Sequence, residues 1–129
     1  MSSLKAERKK TEDEHDVLVV YFTDAKILDE ARIQQIGKEL MDKAGEAETT
    51  DSKNMLVNFQ GVQFMSSAMI GKLVLLNKKA KSANLNLKFC SISPNVLEVF
   101  KITRLNKVFD IKADEDSGLK AFGKKGWFG

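Results

Sequence analysis

Cysteine and histidine occur once each in the 129 residues, as Cys90 and His15. One thiol excludes an intrachain disulfide, and one thiol with one imidazole supplies no ligand cluster for zinc or iron. A serine–histidine–aspartate arrangement would have to use His15, which stands in the charged run "TEDEHD" with nothing to bury it. Arginine is scarce as well, limited to Arg8, Arg32 and Arg104. The net charge of +3 is spread over lysines that alternate with acids. A nucleic-acid binder concentrates its cations in a stripe beside aromatics, so direct nucleic-acid binding is not expected. There is a single proline, no internal repeat and no low-complexity linker. No apolar run reaches membrane-spanning length and no signal-peptide core opens the chain, so a cytoplasmic protein without a membrane partner is expected.

What is present suits one hydrophobic core. The apolar fraction is 43% and the charged fraction 30%, ordinary for a globular chain of this size. A single domain over residues 1–129 is expected, with 1–15 as a polar lead-in or weak edge strand. Residues 124–129 are expected to be a tail, with Trp127 and Phe128 available to dock on the core or on a partner.

"DVLVVYF" (Asp16 to Phe22) is rich in β-branched and aromatic residues and reads as a strand. After Asp29, Ile33, Ile36, Leu40 and Ala44 recur at helical spacing, while Gln34, Gln35, Lys38, Glu39 and Asp42 point outward. Gly45 and the polar "EAETTDSKN" close that helix. "MLVNF" is a nearly continuous apolar run, as in a central strand buried on both faces. A helix from about Ser67 to Ala83 follows, then alternation at Leu85, Leu87 and Phe89. Ser93 and Pro94 make an N-cap and first helical position. Val108, Phe109 and Ile111 suggest a short last strand, and "DEDSGLKAFGKKG" a short helix with acids first and lysines last. Strand and helix alternate four times, which predicts an α/β fold with crossover helices packed on a sheet.

The stretch "FMSSAMIGKLVLL" begins just past the carboxyl end of the best central strand, where open α/β sheets place their functional crevices. One reading of Ser66 and Ser67 is helix capping: a serine oxygen accepts from an unpaired N–H of the first turn. The other uses the same geometry as a switch. A phosphoryl group there would face free N–H donors and the positive end of the helix dipole, and would add about −1.5 to −2 charge to a neutral surface. At about 100° per residue, Met69, Ile70, Leu73, Val74, Leu76, Asn77 and Ala80 fall on an inward sector. Ala68, Gly71, Lys72, Leu75, Lys78 and Lys79 fall outward. Ala68, Gly71 and Leu75 then form a shallow apolar strip rimmed by lysine, a contact surface on one reading and a covered helix face on the other. Gly71 costs a helix interior about 1 kcal/mol relative to alanine, which suits close approach of another backbone or of a nucleotide.

These stretches resemble the STAS domain family, specifically the bacterial anti-sigma factor antagonists. "MLVNFQGVQFMSSAMIGKLVLL" resembles the family's central strand, loop and phosphoacceptor helix. "LKFCSISPNVLEVFKITRLNKVFDI" resembles its next strand, proline-led helix and terminal strand, and "ILDEARIQQIGKEL" its entry to the first helix at Asp29. The resemblance implies a STAS-type mixed sheet of four to five strands with about four α-helices packed on it. It implies a phosphoacceptor at Ser67, with Ser66 in the place of the family's aspartate and Ala68 in that of its second hydroxyl. Met69 replaces the usual glycine, and Gly71 keeps the later one. It further implies partner switching. The unmodified domain would bind an anti-sigma factor that is a GHKL-type serine kinase, freeing a sigma factor. Phosphorylation of Ser67 would break that complex and a serine phosphatase would restore it. The domain would be no enzyme and carry no cofactor, since ATP would be held by the partner kinase. Asp29, Ala68, Met69, Gly71, Lys72 and Leu75 would make up the partner-binding surface. The alternative is a STAS interaction module, a non-phosphorylated scaffold in a signalling or transport assembly, with Ser67 only a cap.

Overall fold

The computed structural model describes residues 3–123; the tail with Trp127 and Phe128 lies outside them. Strand β1 (Leu4–Lys10) pairs antiparallel with β2 (Asp16–Phe22). A two-residue strand β3 (Lys26–Ile27) leads into α1 (Glu30–Glu48), β4 (Asn54–Asn58) and a second two-residue strand, β5 (Phe64–Met65). Then come α2 (Ser67–Ser82), β6 (Asn86–Cys90), α3 (Pro94–Ile102), a 3-10 turn at Leu105–Lys107, β7 (Ile111–Lys112) and α4 (Glu115–Gly123). The main sheet has the order β1-β2-β4-β6-β7, parallel from β2 onward. The polar lead-in is therefore an edge strand, its charged residues facing water as such edges require.

The three crossover helices share one face of the sheet. Ile33, Ile36 and Leu40 of α1, Met69, Leu73 and Leu76 of α2 and Val96 and Phe100 of α3 pack in one cluster with Leu18, Val20, Met55 and Val57. Alternate residues of the same strands point the other way. Val17, Val19, Leu56 and Cys90 form a smaller cluster with Phe122 of α4. Every residue of β4 is buried: Met55, Leu56 and Val57 are its apolar centre, and the buried Asn54 and Asn58 at its ends are satisfied by side-chain hydrogen bonds. A row of rings crosses the carboxyl-end side of the sheet. Successive centroids lie 4.9 Å (Phe22–Phe59), 5.2 Å (Phe59–Phe89), 4.9 Å (Phe89–Phe109) and 5.3 Å (Phe109–Phe100) apart. Such spacings are typical of favourable tilted and edge-to-face pairs.

Three sequence expectations need correction. Helix α1 does not close at Gly45 but runs on to Glu48, because Ala44 and Ala47 are both buried and packing outweighs the glycine. The Thr49 and Thr50 hydroxyls then donate to the carbonyls of Glu46 and Ala47 and end it. The last strand is confined to Ile111–Lys112: Phe109 turns into the core while Val108 stays exposed behind the 3-10 turn. Met69, expected both on the inward sector and at the partner surface, is fully buried and cannot touch a partner.

Candidate functional site

The short sheet made by β3 and β5 builds the site. Its parallel register sets Lys26 against Phe64 and Ile27 against Met65. The Ser66 N–H then donates to the Ile27 carbonyl at 3.0 Å, and the Gln63 N–H to that of Ala25 at 2.7 Å. Each strand runs almost directly into a helix. Asp29 and Ser67, each two residues past a paired position, therefore stand at the same end of the layer, Asp29 as the cap of α1 and Ser67 as the first residue of α2.

The two serines divide the roles that the sequence left open. Ser66 has extended backbone and its hydroxyl accepts from the Met69 N–H at 3.4 Å, so it is the N-cap of α2. Ser67 is the first helical residue; it is exposed, and its hydroxyl has no hydrogen-bond partner among the described residues. The N–H groups of Ser67 and Ala68 have no acceptor within the helix, and no carboxylate stands in its first turn. An anion on Ser67 would therefore meet donors and a positive dipole end, with no repulsion from α2 itself. Asp29 caps α1, its carboxylate accepting from the Arg32 N–H at 2.9 Å. The Arg32 guanidinium turns to Asp24, at 2.7 and 3.1 Å.

Ala68 lies at this end, with Gly71 and Leu75 about one and two turns farther along α2; all three are exposed, Leu75 at 51%. Lys72 is half-buried: its stem crosses Gly37 of α1 and its ammonium donates to Gln34 Oε1 at 2.9 Å. Leu28 (57%) and Phe64 (45%) were not foreseen from the sequence. Leu28 follows β3 and Phe64 opens β5, and Lys26 stands over the Phe64 ring at 5.8 Å. Leu28, next to the capping Asp29 and outside any helical period, was the one available signal.

A second feature, also unforeseen, lies at the carboxyl ends of β2, β4 and β6 beside α4. Glu115 accepts from Lys9 Nζ at 2.5 Å, Tyr21 OH at 2.6 Å and Asn58 Nδ2 at 3.1 Å. Burial alone would raise its carboxyl pKa, but these three donors outweigh it and hold the pKa below the usual range. The bond to Glu115 in turn raises that of Lys9. The cleft here, about 410 Å³, is lined by Tyr21, Asn58, Ser91 and the acids Asp114, Glu115 and Asp116. Within it Tyr21 and Asn58 bond to Glu115, while Asp114 accepts from the Ser117 N–H. Cys90 is buried behind it, and burial pushes its thiol up to about 11. No metal-binding cluster of three or more ligands occurs among the described residues. No helix among them is long and apolar enough to cross a membrane.

Against known proteins, the family model described as the STAS domain matches residues 8–118. An anti-sigma-factor antagonist (STAS) domain protein from Planctomyces limnophilus superposes with a TM-score of 0.71 at 22% identity, over 92% of this chain and 97% of that one. A variant of RsbS from Moorella thermoacetica gives 0.72 at 14% identity, over 96% and 99%. The murine Slc26a9 anion transporter gives 0.69 at 11% identity, over 95% of this chain but only 22% of the transporter. At such identities the shared property is the fold.

Proposed function

The chain belongs to the STAS domain family, and from that premise we propose that it is an anti-sigma factor antagonist switched by phosphorylation of Ser67. In the unmodified state it binds a GHKL-type serine kinase that serves as anti-sigma factor, and so releases a sigma factor in the cytoplasm. The kinase, with its own ATP, transfers a phosphoryl group to the Ser67 hydroxyl; a serine phosphatase removes it. The chain contributes no catalytic group to either step.

The observation that carries this reading is the separation of the two hydroxyls. Ser66 does the structural work of the cap, which leaves Ser67 exposed at the same helix start and its hydroxyl without a bond among the described residues. Its modification therefore leaves the cap intact, so the added charge acts on the partner rather than on the fold. The surface that loses the partner is formed by Ala68, Gly71, Lys72 and Leu75, with Asp29, Leu28 and Phe64 beside them. Incubation with a GHKL-type kinase and ATP is expected to add one phosphate, located at Ser67 by mass spectrometry, and Ser67→Ala to add none. Modification elsewhere, with Ser67 untouched, overturns the assignment.

The likeness to the transporter favours a second reading, a non-switching scaffold module. Partner binding would then persist unchanged in Ser67→Asp, whereas the switch predicts its loss.

A further inference from the structure

We propose that the groove between α1 and α2, which adjoins the surface around Ser67 and shares Lys72 and Leu75 with it, is an anchoring site that takes an acidic segment of a partner protein carrying an aliphatic side chain. The inference rests on the chain being a partner-binding domain, but not on Ser67 being phosphorylated. The groove, about 220 Å³, is lined by Gln34, Gly37, Lys38, Met41, Lys72 and Leu75. At its base is Gly37, over which the Lys72 stem lies: an added Cβ would come within 2.8 Å of Lys72 Cδ. Met41 and Leu75 stand exposed in it, at 36% and 51%. Two large apolar side chains from different helices, facing one hollow, offer a seat for an aliphatic group.

Charge selects the occupant. No carboxylate lines the groove. On the same two helices Lys43 is paired with Glu46 at 2.9 Å and Lys79 with Glu48 at 3.5 Å. Lys38 and Lys72 have no carboxylate within ion-pair distance among the described residues, and the only bond of the Lys72 ammonium is to the neutral Gln34. An acidic segment supplies the missing counter-charges. No aromatic ring lines the groove for base stacking, and two cations are few for a phosphate backbone, so nucleic acid is disfavoured. Ser67, Gly71 and Leu75 follow one another at four-residue spacing along α2, which puts Leu75 about 12 Å along the axis from Ser67. A partner seated over the serine therefore reaches the groove without rearrangement.

The test titrates the full chain, isotope-labelled for NMR, with two synthetic peptides: one alternating leucine with glutamate, the other leucine with lysine. Saturable shifts at Gly37, Lys38, Met41, Lys72 and Leu75 are expected with the acidic peptide alone, weakening as salt is raised. Lys38→Glu with Lys72→Glu is expected to weaken binding about tenfold or more. If that pair disturbs folding, Lys38→Glu alone, at an exposed position, carries the comparison. Equal response to the basic peptide, shifts that map elsewhere, absence of saturation, or tighter binding of anionic lipid vesicles through these same residues overturns the proposal. Ser67→Ala should bind the acidic peptide normally. Loss of the peptide response with intact phosphorylation sinks the groove alone; the converse sinks only the switch.

Discussion

At the level of single residues, two adjacent serines with one side chain have opposite values to the fold. Ser66→Ala removes the oxygen that accepts from Met69 and should cost about 1 kcal/mol, seen as a lower midpoint in urea unfolding. Ser67→Ala removes a hydroxyl that bonds to nothing among the described residues and should stay within about 0.5 kcal/mol of the parent. Equal costs would mean that the capping role is shared and that neither hydroxyl is spare. The junction itself is legible in the sequence, because an apolar helical period starts immediately after a pair of capping residues. Which serine caps is not legible. That depends on the Ile27 carbonyl holding the Ser66 N–H, a contact between segments 39 positions apart. Cys90 is fully buried, a small side chain packed in the α4 cluster. With its pKa raised to about 11 by burial, it should resist thiol reagents at pH 8 until the protein unfolds.

Helices and strands add a second kind of information, carried by glycines that sit in helix interiors for different reasons. A Cβ on Gly71 would meet nothing within 4 Å. Gly71→Ala should therefore gain up to about 1 kcal/mol of stability while weakening partner binding, the pattern of a residue kept for contact rather than for folding. A Cβ on Gly118 of α4 would fall 2.9 and 3.0 Å from the two terminal carbons of Leu56, which is fully buried in β4. Overpacking of about 1–3 kcal/mol then exceeds the helix gain, and Gly118→Ala should lower the thermal midpoint. Stabilisation there would show that α4 does not pack tightly on β4. The long elements are readable because their apolar residues repeat over several turns or fill a whole strand. The short strands β3 and β5 span two residues each, too few to show any alternation, yet they align the two helix starts. Phe64 on β5 was missed for that reason, and Leu28 because it lies in the link between β3 and α1, outside either period. Met69 was misassigned to the surface because its family position outweighed its helical phase, which already pointed inward.

Across the whole molecule, the α1–α3 face carries the candidate site while α4 closes the opposite face, tied down by Glu115. That carboxylate joins three strands, accepting from Lys9 on β1, Tyr21 on β2 and Asn58 on β4. No sequence pattern reveals such a tie, since its members are 57 to 106 positions from Glu115. A carboxyl pKa lower in the folded than in the unfolded chain stabilises the fold above the unfolded value, near 4.3 for glutamate. The contribution is lost as pH falls through the folded value. Asp110 adds to the same acid limb: burial opposes its ionisation, but Lys88 and Lys112 outweigh burial. Glu115→Gln should cost about 1–2 kcal/mol at pH 7 and flatten the loss of stability below about pH 5. An unchanged acid limb would remove Glu115 from the account.

The most direct measurement compares, at one salt concentration, how tightly the kinase partner holds the bare chain and the chain phosphorylated on Ser67, with a melting curve for each. One acquired anion at the start of α2 should lower affinity at least about tenfold, while the phosphorylated form melts no lower than the bare one. Equal affinities, or an affinity loss that tracks a collapse in melting temperature, would contradict a switch that acts on the surface and spares the fold.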